Sequence, residues 1–442
     1  MQNIKGGKQG CLTLASTGDS LITRRLSTNT EEEFLSVIEL IRGADIAFTN
    51  LETTVHDYRG YPAAQSGGAW MVSPPHVADE LKWAGFNLLS FANNHTMDWS
   101  AGGMFATMDI LDQVGLTHSG TGEDLAEARR PAYMDTDKGR VALSSASSTF
   151  APFGRAGHAR REVQGRPGLN PLRYETTYHV DERTFKVLKD TSEKLDLRRG
   201  RGTDEPDELS ILGIKFKVGG MPKTDMRAHG GDLDGNLRSV RDASRQADWV
   251  IVSLHTHERE GDIATPASFT VDFARACVEA GADAVVMHGA HVLRGVEIHE
   301  ARPIYYGLGN FIYQSRTLER LPEDIYENYG LGADATPADV FDRIEERYHR
   351  SDRPRVEGSA PHLTGSTYSV LALSTFEDRE LTGLRLYPIT LGPERHRIHC
   401  GYPRRAEGDL GKEIIGIIAE RSSSFGARVE YVEGVGIVDL GK

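Results

Sequence analysis

Through the first third of the chain, short runs of consecutive apolar residues alternate with segments whose apolar positions recur every three or four residues. Cys11–Thr17 (CLTLAST), Asp45–Thr49 (DIAFT), Phe86–Ala92 (FNLLSFA) and Arg140–Ala146 are of the first kind and predict buried strands. In Glu31–Arg42 the residues Phe34, Val37, Ile38 and Ile41 share one helical face. Pro75–Ala84 carries Pro near its start, and Gly103–Val114 is stopped by Gly115. All three segments predict helices. Strands and helices in alternation predict a layered α/β domain with a largely parallel sheet.

The pattern breaks at Pro152. From there to about residue 230 the chain is rich in Arg, Gly and Pro, with one helical patch at Asp181–Leu195. This stretch is expected to be an insertion packed over the main domain, because long irregular segments in compact domains are usually functional or disordered. Regular patterning resumes with a helix at Leu233–Gln246, a strand at Trp249–Leu254, a helix at Ser268–Ala280 and a strand at Ala284–Met287. A hairpin turning at Glu300–Arg302 follows. Residues 316–365 form a second polar insertion with a helix near Ala338–Tyr348. Strands at Thr367–Ser374 and Leu381–Tyr387 and a helix at Lys412–Glu420 then complete the domain over residues 366–442.

Composition narrows the function classes. The 442 residues are 39% apolar and 26% charged, which suits a globular chain with a large core. The net charge of −13 argues against a dedicated nucleic-acid binder, whose affinity comes from basic patches on phosphates. The longest apolar runs fall far short of the ~18–20 residues that cross a bilayer. The run after the polar N-terminus is too short for the apolar core of a signal peptide. A soluble, cytoplasmic protein with no membrane partner is therefore expected. Three widely spaced cysteines (Cys11, Cys277, Cys400) make neither a disulfide framework nor a zinc ribbon.

Candidate chemistry gathers where strands end. The first strand ends in Gly18-Asp19-Ser20, the second in Asn50-Leu51-Glu52, and the third in Asn93-Asn94-His95 with Asp98 beyond. Two later strands end in His255-Thr256-His257-Glu258 and His288-Gly289-Ala290-His291. In open α/β sheets the ligand site lies beyond the carboxyl ends of the strands. These ends would bring Asp19, Glu52, Asn94, His95, His255, His288 and His291 together, and such side chains ligate first-row metals.

That order resembles the calcineurin-like metallophosphoesterase superfamily, and more closely its CapA (poly-γ-glutamate capsule-synthesis) branch. The resemblance is carried by Gly18-Asp19, Asn50-Leu51-Glu52, Asn93-Asn94-His95 with Asp98, His255, Gly281-Ala282-Asp283, His288, His291 and Tyr306-Gly307-Leu308-Gly309-Asn310-Phe311. It spans residues 11 to 315 and implies an αββα layered sandwich with two insertions. It also implies a divalent-metal site formed by Glu52 or Asn50 with Asn94, His255 and His288. The chain departs from the phosphoesterase pattern at Leu21, where the superfamily has a metal-binding histidine. A single metal is then expected. Asp19 and His291 are released as one Asp/His couple, and His95 with Asp98 forms a second.

Two such couples beside a cation suit proton removal and delivery at a Cα. The CapA-like branch includes soluble epimerases of lasso-peptide precursors, so the resemblance, together with the missing membrane anchor, favours a metal-dependent isomerase that epimerises a peptide residue. The alternatives are CapA-type amide or poly-γ-glutamate processing or hydrolysis, phosphoester hydrolysis with two metals, and a non-catalytic binding protein. Arg166, Arg173 and Trp70 are candidates for substrate binding, the arginines as bidentate partners of a carboxylate. His257, Glu258 and Glu260 fit a solvated loop as well as a supporting role around the metal. No organic cofactor is expected. Ca²⁺, Mn²⁺ and Zn²⁺ all remain open, as does the oligomeric state.

Overall fold

The computed structural model describes residues 11–197, 205–350 and 367–441. Its architecture is mixed α/β, built on two large sheets. In the first, the strands Leu12–Leu21, Ile46–Leu51, Leu88–Ser90 and Thr117–Ser119 run parallel in that order. Asn310–Tyr313 pairs in parallel with Leu12–Leu21, and Tyr368–Glu377 and Glu380–Thr390 extend the sheet antiparallel on the other flank. The second sheet has six strands, with Gly139–Ser147, Trp249–His255, Ala284–His288 and Arg302–Tyr305 parallel at its centre.

Alternation along each strand explains how the sheets pack. Leu12 and Leu14, Ile46 and Phe48, Leu143, Ile251, Ala284 and Val286 share one core that draws on both sheets. The intervening Ala15, Ala47 and Leu51 face a second core with Phe34, Val37, Ile38 and Ile41 of the helix Glu32–Arg42, Leu81 of His76–Ala84 and Met104 of Ser100–Val114. On the other sheet, Ala142, Val250, Val285 and Met287 face Val240 of the helix Gly230–Gln246 and Phe273 of Ser268–Glu279. Burial on both faces is why these strands read as continuous apolar runs. Helix and strand positions predicted in the first third agree with the structure to within a few residues. The main difference is that the first strand runs on to Leu21 through register shifts on either side of Asp19.

The insertion after Pro152 is more ordered than its sequence suggests. The predicted helix is present as Glu182–Lys194. Around it a separate four-stranded sheet is formed by Tyr174–Val180, Glu208–Ile211, Ile214–Val218 and Lys223–Ala228. These strands are short, and in Ile214–Val218 (IKFKV) lysines separate the apolar residues, so no buried-strand run appears. The second insertion supplies helices Glu323–Tyr329 and Pro337–Arg350. Ile325, Val340 and Phe341 pack on Trp70, Met71 and Leu21. Among the described residues, no helix is long and apolar enough to cross a membrane.

One backbone contact sets the frame for the site. Gly18 lies against Gly309, and a Cβ on Gly18 would come within 1.8 Å of the Gly309 carbonyl oxygen. Gly309 itself has φ +79°, in the left-handed region that favours glycine. Two motifs far apart in sequence thus meet without side chains, and Asp19 falls opposite Asn310 in the strand register. Gly18→Ala should therefore lower stability by more than ~2 kcal/mol, the scale of overpacking a core. Chemical denaturation measures it, and a change below ~0.5 kcal/mol would show that the contact is not tight.

Candidate metal centre

The centre lies where the carboxyl ends of strands from both large sheets meet. The strand irregularity around Asp19 re-aims its side chain, as β-bulges beside active sites do. Its Oδ1 accepts a hydrogen bond from Asn50 Nδ2 (2.8 Å), and its Oδ2 accepts one from the Gly289 amide (2.9 Å). Asn50 is held in turn by Asn93, whose Nδ2 donates to Asn50 Oδ1 (3.2 Å) and to the Leu51 carbonyl (2.7 Å). From the second sheet, His255 and His288 stand opposite each other across a parallel pair, with Nδ1 atoms 3.1 Å apart. His255 Nε2 lies 3.1 Å from His257 Nε2. Gly289 permits this crowding, because a Cβ there would sit 2.9 Å from both imidazoles. His291 has φ +57°, a conformation that costs a non-glycine residue on the order of 1–3 kcal/mol and is found most often at functional sites. Its Nδ1 is 2.8 Å from Asn310 Oδ1 and 3.4 Å from Asp19 Oδ2.

Glu52 is the centre's decisive residue. It is completely buried, and neither carboxylate oxygen has a hydrogen-bond partner. Oε1 lies 3.7 Å from both His255 Nε2 and His291 Nε2. Three groups of residues could each hold a metal ion, with ligand atoms within 4.8 Å of one another: Asp19, His255 and His288; Glu52, His255 and His257; Asp19, Glu52 and His291. Asp19, Glu52 and His255 each belong to two of these groups, so the three groups overlap in one cluster of possible ligands.

The electrostatics agree with that donor set. Burial, reinforced by the charge on Asp19, pushes the Glu52 carboxyl up to about 8. Burial also depresses His255 strongly, and with His291 nearby it brings His257 down to about 3. Both are therefore neutral imidazoles with lone pairs to offer. Burial opposes charge on His291 too, but Glu52 and Asp19 outweigh it and hold its pKa well above the ordinary value. A buried, unsatisfied carboxylate beside the neutral imidazoles of His255 and His257 fits a divalent cation, which would displace the proton on His291.

Asp19, Glu52, His255, His288 and His291 are thus brought together as their strand positions predict. Asn50 and Asn93 act by orienting Asp19. Asn94 lies at the edge of the centre, donating from Nδ2 to the Gly67 carbonyl (3.2 Å) while its Oδ1 is buried without a partner. His95 and Asp98 form a couple at 2.7 Å, and burial opposes charge on His95 but Asp98 holds its pKa up. Leu21 does not leave the first-metal set with two members, because Glu52 stands beside Asp19 and His291 while Leu21 packs against Met71 and Trp99. Both arginines have partners within the chain. Arg173 is engaged by Asp232 through Nε (2.6 Å) and Nη2 (2.9 Å), and exposed Arg166 donates from Nε to the Arg155 carbonyl (3.0 Å). Trp70 is 4% exposed and donates from Nε1 to the Ala63 carbonyl (2.7 Å), so only its edge reaches a neighbouring cleft.

His257, for which the sequence left a solvated loop and a supporting role around the metal equally open, lies close enough to be a ligand itself, and Asn310 holds the imidazole of His291. The signal for His257 was the His-x-His spacing at a strand end, since alternate residues of an extended chain share a face. Glu258 stabilises that turn by accepting from Thr149 Oγ1 (2.9 Å) and Thr256 Oγ1 (2.8 Å).

Since Glu52 must lose a proton to ligate, and His291 must lose one as well, divalent-metal affinity should rise by about tenfold or more per pH unit between pH 6 and pH 8. Titration calorimetry with Mn²⁺ from pH 6 to 9 measures this. An affinity independent of pH over that range would remove Glu52 from the ligand set.

The family model for the bacterial capsule synthesis protein PGA_cap matches residues 13–315. The chain is 36% identical to the uncharacterized protein y4sH of Sinorhizobium fredii, covering 97% of this chain and 93% of that protein. It is 23% identical to the capsule biosynthesis protein CapA of Bacillus anthracis, over 70% of this chain and 62% of that one. It is 25% identical to a probable polyglutamine synthesis accessory protein of Mycobacterium tuberculosis, over 63% of this chain and 58% of that one. These names overturn the expectation of a peptide epimerase, since they concern capsule and polymer synthesis and not isomerisation. Although burial raises the Asp19 carboxyl, its contacts with His288 and His291 hold it well below the usual range. The chain belongs to the bacterial capsule synthesis (PGA_cap) family.

Proposed function

We propose that this protein is a metal-dependent component in the making or processing of an amide-linked glutamyl polymer or a closely related polyamide. Its frame is read as the helix–sheet–sheet–helix order of the calcineurin-like phosphoesterases. The observation that carries the proposal is the buried Glu52 carboxylate, with both oxygens unpartnered between His255, His257, Asp19 and His291. The names of the CapA-type relatives supply the substrate class.

Glu52, His255 and His257 would hold one divalent ion, and Asp19, Glu52 and His291 a second. Such ions supply Lewis acidity toward a carbonyl oxygen and an acidified water. The protein's own groups do the remaining work. Asn50 and the Gly289 amide fix both oxygens of Asp19, and Asn310 fixes the imidazole of His291. His95, oriented by Asp98 at 2.7 Å, is placed to hand a proton to a departing amine. Asp98 also accepts from the Met71 amide (2.7 Å), which ties the couple to the loop that borders the substrate side.

The test is to load the protein with Mn²⁺ or Zn²⁺, incubate it with γ-linked glutamyl oligomers, and follow chain length and new amine by gel and mass spectrometry. Shortening or transfer of the oligomer is expected. His95→Ala should cut the rate about 10²–10⁴-fold with bound metal unchanged. Glu52→Gln and His257→Ala should lose metal and rate together. An oligomer left intact and unbound under every divalent metal would defeat the proposal.

A further inference from the structure

Beyond the strand Gly139–Ser147 the chain makes an excursion that leaves and returns at one point. Ser147 stands opposite His255 in the sheet register, and the Ser148 amide donates to the His255 carbonyl (2.9 Å). Thr149 Oγ1 accepts from the His257 amide (2.8 Å). The chain comes back at Pro171, which bridges Ser147, and the Leu172 amide donates to the Ser147 carbonyl (2.7 Å). Between these ties stands an ordered arm. Gly157 and Arg166 exchange backbone hydrogen bonds (2.9 and 3.1 Å), and the Arg160 amide closes the tip on the Val163 carbonyl (2.8 Å). The base of the arm is fixed as well. Gly168 and Leu169 pair with Gly122 and Thr121, and Gly154 lies against Met97, two residues beyond His95.

The arm carries Arg155, Arg160, Arg161 and Arg166 against a single acid, Glu162, on a chain whose net charge is −13. Arg160 and Arg161 are exposed at the tip. Arg166 donates from Nε to the Arg155 carbonyl (3.0 Å), a neutral partner that leaves its charge uncompensated. Nearby acids are engaged elsewhere: Asp124 accepts from the amides of Ala126 and Glu127 (2.9 Å each), and Glu127 lies 3.5 Å from Arg130. Apolar surface is interleaved with these cations, since Phe153 is 40% exposed and Val163 65%. A γ-linked glutamyl chain has matching chemistry. Each of its residues places methylenes in the main chain and leaves an α-carboxylate free. Guanidinium groups grip carboxylates bidentately, and exposed apolar side chains cover methylenes. We propose that the arm 155–166 is the docking surface for the carboxylate-bearing polymer, which it holds beside the strand end at His255. This rests on the polymer-processing reading above and adds where the chain is held.

The experiment titrates the Mn²⁺-loaded full chain into a fluorescein-labelled γ-linked glutamate oligomer, and into the same oligomer with its carboxylates converted to primary amides, at low salt with fluorescence anisotropy as the readout. Arg160 and Arg161 are exposed, so their substitution should leave the fold and the bound metal unchanged. Arg160→Gln with Arg161→Gln should weaken binding of the carboxylate oligomer about fivefold or more, and Arg160→Glu with Arg161→Glu should weaken it further. Arg160→Lys with Arg161→Lys should bind more tightly than the Gln pair. The amidated oligomer should bind the unsubstituted protein more weakly and respond to none of these changes, and added salt should remove most of the difference between variants. Equal binding of the carboxylate oligomer by the unsubstituted, Gln and Glu proteins overturns this inference, as does tighter binding of a single-stranded oligonucleotide of equal charge. If either happens while the oligomer is still processed, the processing proposal stands without it. If the unsubstituted protein neither binds nor processes the oligomer, both fall.

Discussion

A carboxylate with no hydrogen bonds, sealed from water among imidazoles, is too costly to keep charged without a counter-ion. Glu52 is in that position, and the surrounding architecture is arranged around it. His255 and His257 approach from one sheet's strand end, Asp19 from the other's, and His291 from a left-handed turn. Asp19 is supported by Asn50, itself held by Asn93, and by the Gly289 amide, and His291 by Asn310. The hydrogen-bonded shell is therefore largely satisfied while Glu52 and Asn94 Oδ1 are not. A divalent cation is what this donor set could hold.

The seam between the two sheets is what makes this possible. Asp19 and His288 belong to different sheets, yet Asp19 Oδ1 is 3.4 Å from His288 Nδ1. The contact of Gly18 with Gly309 fixes how far Asn310 stands from Asp19, and so where His291 rests. Catalytic geometry of this kind is held by backbone approach and by the packing of two sheet faces, both of which change little under thermal motion.

The insertions play unequal parts. The four-stranded sheet after Tyr174 is anchored on the main domain through the stacking of Tyr174 on Phe269 and the pairing of Arg173 with Asp232. The second insertion comes closer to the chemistry. Its helices bury Trp70 and Met71, and the Met71 amide is bound to Asp98. The packing of Ile325 and Val340 against Trp70 is thereby connected, within a few contacts, to the imidazole of His95.

Period-two and period-3.6 patterning predicted the helices around Phe34 and Phe273 and the strands ending at Glu52, His255 and His288, because burial on a regular element leaves a repeating trace. Metal-capable residues at those ends predicted the centre and most of its members. The half-exposed strand Ile214–Val218 alternates apolar and lysine residues over only five positions, a trace too short to stand out from the polar stretch around it. The same limit applies to the ligand set. Reading motif by motif, Leu21 counted as a lost ligand, and His257 as a loop residue or a support for the metal, not as a ligand. Glu52 and Asp19 are neighbours on adjacent strands of one sheet, but only the docking of the other sheet brings His255 and His257 up to them. Distances between residues two hundred positions apart are set by how two faces pack, and no local pattern encodes them.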